Sequence, residues 1–199
     1  MSKFLFRYIS LPKKTICGCF AVGTAIFFLP AIFGYFGFGK GLFNGGNAEM
    51  KNESFVAAWL HIFPTNIRTA LSCYSGALTF GITALFFGLL MGMYFGISVS
   101  LAHSVFGVMP VLLKTILYTP FELTGFIAAI AAGLIPAAYV LSRASNRDIK
   151  KGKLNKQDEK QSMEITFATA VKDSLVVFLF AAVMLLLSSV LEACVVAYF

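Results

Sequence analysis

Long apolar runs, separated by a few polar stretches, dominate the pattern of this chain. An α-helix needs about 20 apolar residues to cross a bilayer whose hydrocarbon core is roughly 30 Å thick. The apolar stretch between 66 and 102 is too long for one such helix, so we expect it to turn once, near Phe86–Leu89; a single steeply bent helix is the alternative. The pattern therefore predicts an all-α integral membrane protein with about five transmembrane helices, at 15–39, 66–86, 88–103, 120–142 and 174–198.

The connections between the predicted spans differ in character. Residues 55–63 include Trp59 and end before Pro64, a pattern typical of a short helix at the membrane interface. Residues 104–118 are of mixed polarity, and the sequence leaves open whether they form a loop or a re-entrant element. Residues 143–172 form a strongly polar, basic loop.

Composition agrees with the membrane interpretation. Hydrophobic residues make up 58% of the 199 residues and charged residues only 13%, which excludes a soluble domain of this length. We expect one transmembrane domain over 1–199. The net charge of +7 does not indicate nucleic-acid binding, because the basic residues form two clusters beside apolar runs, where they contact anionic lipid headgroups.

These two basic clusters predict the orientation. One precedes the first span, and the other is the loop 143–172. The positive-inside rule places both in the cytoplasm, and the four spans between them agree with that placement. We therefore expect a cell-membrane protein with a cytoplasmic N-terminus and an external C-terminus. The loop is either a docking site for a partner or a solvated tether, and its basic residues include Arg143, Arg147, Lys150, Lys151 and Lys172.

Small residues recur every fourth position in the third and fourth predicted spans. Such ridges let helix backbones approach closely, so that van der Waals contact replaces the hydrophobic effect inside lipid. We predict that these two spans pack face to face; the alternative is that one ridge docks a partner subunit. The ridges comprise Gly88, Gly92, Gly96 and Ser100, and Gly125, Ala129, Gly133 and Ala137.

The predicted topology gathers scattered polar residues near the outer ends of the spans. A carboxylate near hydrocarbon is costly unless it is paired, neutralised or hydrated, so an Arg68–Glu122 ion pair is the simplest arrangement. Structural interhelical pairs and a polar vestibule for a substrate both fit. A metal site would have to use His61, His103, Glu122 and Glu192, without any closely spaced ligand motif. The cluster comprises Asn66, Arg68, His103, Glu122 and Glu192.

No recognisable catalytic or nucleotide-binding motif is present in the sequence. We therefore expect no catalytic residues, no metal and no cofactor, and a protein that is not an enzyme. If the chain takes part in active transport, another subunit must bind the ATP.

The central part of the chain resembles the stage II sporulation protein M family. That family shows a hydrophobic–Phe-x-x-Asn opening, a Phe-Gly pair, a Gly-rich span and a Pro-His-x-x-x-Glu-Leu segment before a span with Ala-Gly. The His of that segment falls at Tyr118 here, its Pro at Leu117, and the Asn before the third-span Gly at Met91, whereas Glu122 and Asn66 match. The matching elements are Ile62–Asn66, Phe80-Gly81, Gly92 and Gly96, Phe121–Leu123, and Ala132-Gly133.

The resemblance implies two kinds of role. Some relatives look like parts of a peptidoglycan-remodelling complex, and others accompany ABC-type ATPases in systems that export or resist peptide bacteriocins. We expect a transmembrane subunit of a bacteriocin-type export or immunity system, with membrane lipid, an ATPase or other membrane subunits and a hydrophobic peptide as partners. A scaffold for cell-wall enzymes and an intramembrane enzyme that processes a hydrophobic peptide are the alternatives.

Overall fold

The computed structural model describes residues 13–37, 54–147 and 156–198, with the side chains of 143–147 and 156–166 excepted. These residues form helices, and no strand occurs among them. The helices are α1 (Lys13–Gly37), α2 (Phe55–Tyr74), α3 (Ile82–Phe106), α4 (Val108–Thr115), α5 (Thr119–Arg147) and α6 (Lys156–Tyr198), with a 3₁₀ turn at Ser75–Ala77.

Within the described ranges, four helices are long and apolar enough to cross a membrane: α1, α3, α5 and α6. The all-α membrane class is therefore confirmed. The remaining long helix, α2, has 20 residues, or roughly 30 Å of helix, but it is more polar because it contains Pro64, Asn66 and Arg68. The predicted number of about five spans is therefore approximate, since four of the described helices are apolar enough to cross a membrane and α2 is not among them.

The chain reverses between α2 and α3 earlier than the sequence suggested. The turn lies at 75–81 and not near Phe86–Leu89, so the predicted spans 66–86 and 88–103 are wrong at this boundary. Phe80 has φ 50° and Gly81 has φ 86°, which ends the turn in the left-handed region. Ser75 Oγ lies 2.9 Å from Thr83 Oγ1, and these hydroxyls satisfy each other across the turn.

Helix α2 runs through Pro64 without a break. The prediction of a separate interfacial helix over 55–63 is therefore wrong, although Ser54 caps the helix as expected, accepting a hydrogen bond from the Ala57 N–H at 3.4 Å. Proline is tolerated inside membrane helices because neighbouring groups can satisfy the backbone it frees. A short helix occurs instead within 104–118, where α4 buries none of its residues.

The glycine ridge of α3 packs against α1 and not face to face with α5. A Cβ atom built on Gly92 would overlap the carbonyl oxygen of Phe27, and one on Gly96 would overlap that of Ala31. The two helices run parallel, because both contact positions advance together along the chain. The prediction failed because a small-residue ridge shows that a backbone comes close without showing which one.

Helix α5 lies at the centre of the protein. Its residues 125–136 are almost all buried, between α1 on one side and α6 on the other. Its own ridge faces these neighbours: a Cβ on Gly125 would lie 2.7 Å from Leu185 Cγ, and one on Gly133 would overlap the carbonyl oxygen of Cys73 in α2. Both predicted ridges are packing surfaces. They meet each other's helix only at one end, where a Cβ on Gly133 would lie 2.8 Å from Ala84 Cβ of α3 and one on Gly88 would lie 3.1 Å from Ile130 Cδ1 of α5.

A buried hydrogen bond compensates for the proline inside α5. Pro136 has no N–H, so the carbonyl of Ala132, four residues earlier, loses its helical partner. The Ser174 hydroxyl of α6 donates to that carbonyl at 2.6 Å, and the Ser174 side chain is fully buried. This hydrogen bond therefore satisfies both the carbonyl that Pro136 leaves without a partner and the hydroxyl that is buried inside the helix bundle.

The antiparallel pairing of α5 and α6 defines two ends of the molecule. At the basic end, α1 begins at Lys13 and α5 passes Ser142. At the carboxylate end, α5 begins near Glu122 and α6 approaches its end near Glu192. The predicted loop 143–172 is largely helical, since α5 continues to Arg147 and α6 begins at Lys156; residues 148–155 lie outside the described ranges.

Candidate functional site

Two carboxylates converge at the carboxylate end. Glu122 lies in the first turn of α5, where its N–H donates to the Tyr118 carbonyl at 3.1 Å. Glu192 lies on α6 one helical turn beyond Ser188, whose hydroxyl donates to the same carbonyl at 3.3 Å. The Tyr118 backbone thus joins the two helices at the point where both acidic side chains are half-buried.

The Tyr118 phenol lies within the electrostatic influence of both acids. Burial raises the pKa of Tyr118 well above its ordinary value, and the Glu192 and Glu122 carboxylates raise it further. Each effect disfavours the phenolate, since burial removes water and the carboxylates repel a third negative charge. The site therefore keeps a neutral hydroxyl beside two acids, which together can accept and donate hydrogen bonds.

His103 belongs to a different pair. Its Nδ1 lies 3.1 Å from the hydroxyl of Tyr35, and the two rings meet edge to face with centroids 5.7 Å apart. This contact ties the end of α3 to the end of α1. Within the part of the chain that the structure describes, His103 Nε2 is enclosed and has no hydrogen-bond partner.

The residues of α2 do not complete an ion pair with the carboxylates. Arg68 is exposed, and no ion pair between Arg68 and Glu122 occurs among the described residues. Asn66 is half-buried, and its Nδ2 is enclosed without a hydrogen-bond partner in those same ranges. The expected pairing is therefore wrong, and Arg68 is not part of the contact that joins Tyr118, Glu122 and Ser188.

The described residues contain no group of three His, Cys, Asp or Glu side chains that could hold a metal ion. His61, one of the four ligands considered for such a site, is exposed on α2. At the carboxylate end, Tyr118, Glu122 and Glu192 are therefore groups that can form hydrogen bonds and ionic contacts with a ligand.

Three of the five predicted docking residues lie within the described helices, and all three are at the basic end. Arg143 and Arg147 belong to the last part of α5, and Lys172 is exposed on α6. Lys150 and Lys151 fall outside the described residues. Their role in binding a partner stays a prediction.

Sequence reasoning did not include Tyr118 or Ser188 in the site. Each precedes an acid by four residues, Tyr118 before Glu122 and Ser188 before Glu192, which places each pair on one helix face. That spacing was the signal available in the sequence. It does not show that Tyr118, just before α5, contacts Ser188 of α6, and this contact is what brings the two pairs together.

The fold and the site define a class: a helical, multi-pass membrane protein with two acidic residues near one end and a helical extension rich in both charges at the other. The chain matches the profile of the family Stage II sporulation protein M over residues 16–196, nearly its whole length, and it belongs to that family. No curated protein and no solved structure matches it significantly.

Proposed function

We propose that this chain is the transmembrane subunit of a peptide export or immunity system of the bacteriocin type, working with a separate ABC-type ATPase. In this arrangement the basic end is cytoplasmic and binds the ATPase, and the carboxylate end is external and meets the peptide. The proposal is supported first by the family resemblance, which implies that some relatives work with such ATPases.

The length of α6 is the observation that carries the proposal. Its apolar part begins at Phe167, yet the helix starts at Lys156. The extra residues add roughly 16 Å of helix beyond the apolar part. They are rich in charge, with Lys156, Asp158, Glu159, Lys160 and Glu164 in the sequence. A continuous helix couples a partner held at this extension to the packed bundle around α5.

The carboxylate end supports a peptide-facing role. Glu122 and Glu192 are half-buried, and the adjacent helix α4 exposes large apolar side chains, including Met109 and Leu113. Acidic groups beside an exposed apolar surface suit a ligand that is both hydrophobic and cationic. A peptide of that chemistry would place its apolar side chains against α4 and a positive group near the acids.

Affinity purification of the full-length chain from its native membranes tests the partner. We expect an ABC-type ATPase to co-purify with the intact chain. Replacing residues 148–166 with a flexible Gly-Ser linker of equal length should abolish its recovery, because the rigid extension is lost while the connection between α5 and α6 is kept. An unchanged melting temperature of the linker variant shows that the bundle is intact.

Two outcomes would contradict the proposal. Recovery of as much ATPase by the linker variant as by the intact chain would show that the extension is not the docking site. Recovery of cell-wall hydrolases in place of an ATPase would support the scaffold alternative.

One observation favours a second candidate, an intramembrane enzyme that processes a hydrophobic peptide. Glu122 and Glu192, with the Tyr118 phenol within the electrostatic influence of both, are groups that can transfer protons to and from a substrate. Glu122→Gln and Glu192→Gln would then each abolish product formation without lowering the amount of folded protein. A system whose peptide product is unchanged by both substitutions would exclude this candidate.

A further inference from the structure

An open groove separates α1 from α5 at the basic end. The two helices come close at Gly23, where an added Cβ would lie 3.3 Å from the Ile127 carbonyl oxygen, and they diverge from there toward Lys14 and Ser142. The resulting space has a volume of about 540 Å³, within the range of about 300–1,000 Å³ that is usual for small-molecule sites. The turn at Phe80-Gly81 closes its floor.

The lining changes character along the groove. Most of the wall is apolar, and four of its large apolar side chains are exposed: Val22 at 48%, Phe80 at 62%, Leu85 at 41% and Leu141 at 70%. Val22, Leu85 and Leu141 lie on helices that are long and apolar enough to span a membrane, so the open side of the groove faces lipid hydrocarbon. Polar side chains, from Lys14, Thr15 and Ser142, are gathered at the end of the groove where α1 begins.

We propose that this groove binds one anionic glycerophospholipid, with an acyl chain between α1 and α5 and the phosphate beside Lys14. Charge complementarity selects the anionic headgroup, because the cationic side chain of Lys14 lines the groove at its polar end. Basic pockets between transmembrane helices are a known mode of binding anionic headgroups. The apolar wall selects an acyl chain over a soluble phosphate compound.

Gly18 provides a clean way to fill the groove. No described heavy atom lies within 4 Å of a Cβ built at this position, so a larger side chain enters the open space without displacing neighbours. Gly18→Leu should therefore compete with the acyl chain and leave the fold unchanged. Ala25→Leu is the matched control, because Ala25 is exposed on the same helix and does not line the groove.

Native mass spectrometry of the full-length chain, released from membranes of equal phosphatidylglycerol and phosphatidylcholine, measures the bound lipid. We expect one retained phosphatidylglycerol for the wild type and for Ala25→Leu, and at least a tenfold loss of it for Gly18→Leu. Lys14→Gln should remove the preference for phosphatidylglycerol over phosphatidylcholine. This exposed substitution tests the headgroup site even if Gly18→Leu folds poorly.

Several results would overturn the proposal. Equal retention by Gly18→Leu and Ala25→Leu would place the lipid elsewhere on the surface, and equal retention of both lipids by the wild type would exclude a selective site. If phosphatidylglycerol binds only after residues 2–11 are deleted, the N-terminal segment fills the groove. If Gly18→Leu converts a dimer into a monomer, a second copy of the chain fills it.

Discussion

The hydrogen bond between Ser174 and the Ala132 carbonyl makes the sharpest prediction about stability. Ser174→Ala removes the donor and leaves a buried carbonyl that Pro136 has already deprived of its helical partner. An unsatisfied buried polar group costs about 1–3 kcal/mol, and hydrogen bonds between membrane helices contribute about 0.6 kcal/mol on average and up to about 1.7. We expect a loss of about 1–2 kcal/mol in the free energy of unfolding.

The matched control is Ser189→Ala. Ser189 is also fully buried on α6, but its hydroxyl donates at 2.7 Å to the carbonyl of Leu185, which already accepts a helical N–H. Its removal should therefore change the free energy of unfolding by less than about 0.5 kcal/mol, because a back-bonded serine adds little to a helix. Both variants lose the same atom from the same helix, so their difference isolates the effect of Pro136.

A double-mutant cycle with Pro136→Ala completes the test. The alanine restores an N–H that can bond the Ala132 carbonyl, so Ser174→Ala should cost less than half as much in that background. Thermal midpoints in detergent provide the measurement, and a loss of 1–2 kcal/mol corresponds to about 2–8 °C for a chain of this size. An equal cost of Ser174→Ala in both backgrounds would refute the reasoning.

Two further predictions concern the glycine ridge and the acid–tyrosine site. Gly92→Ala should lower the free energy of unfolding by about 1–3 kcal/mol, because its Cβ overlaps the Phe27 carbonyl oxygen. Gly18→Ala should raise that free energy by up to about 1 kcal/mol through helix propensity alone. Equal effects of the two substitutions on the thermal midpoint would show that α1 and α3 are not in close contact. The pKa of Tyr118 in the folded protein is raised above its ordinary value of 10.0, so above about pH 10 the unfolded chain loses this proton while the folded protein keeps it. The free energy of unfolding therefore falls as the pH rises, and the wild type should lose more stability than Tyr118→Phe between pH 9 and 11. Parallel pH curves for the two proteins would contradict the burial of Tyr118 within the influence of the acids.

The apolar runs of the sequence were sufficient to predict the membrane class, because hydropathy over about 20 residues depends on composition more than on tertiary contacts. The position of the turn was not predictable in the same way. In an uncharged stretch, Gly88 and Ser75-Gly76 are equally plausible turn signals, and only tertiary packing distinguishes them. Gly88 lies inside α3, where its small size lets the helix approach Ile26. The turn forms earlier, where Phe80 and Gly81 adopt positive φ values.

The candidate site was predicted in part. The sequence placed Glu122 and Glu192 at one end of the bundle, and both lie there at the α5–α6 contact. It paired Glu122 with Arg68 because their predicted depths matched, but depth does not give the direction in which a side chain points. Arg68 is exposed, and it is the Tyr118 carbonyl that accepts hydrogen bonds from the Glu122 N–H and the Ser188 hydroxyl.

Site-specific photocrosslinking tests the central claim most directly, namely that the carboxylate end receives a hydrophobic, cationic peptide while the basic end holds the ATPase. A photoreactive residue replaces Leu117, which is 53% exposed beside Tyr118, or Leu78, which is 84% exposed in the turn near the basic end. A bacteriocin-type peptide added to membranes that contain the intact complex should crosslink at position 117 and not at 78. Crosslinking at 78 alone, or equally at both positions, would contradict the account.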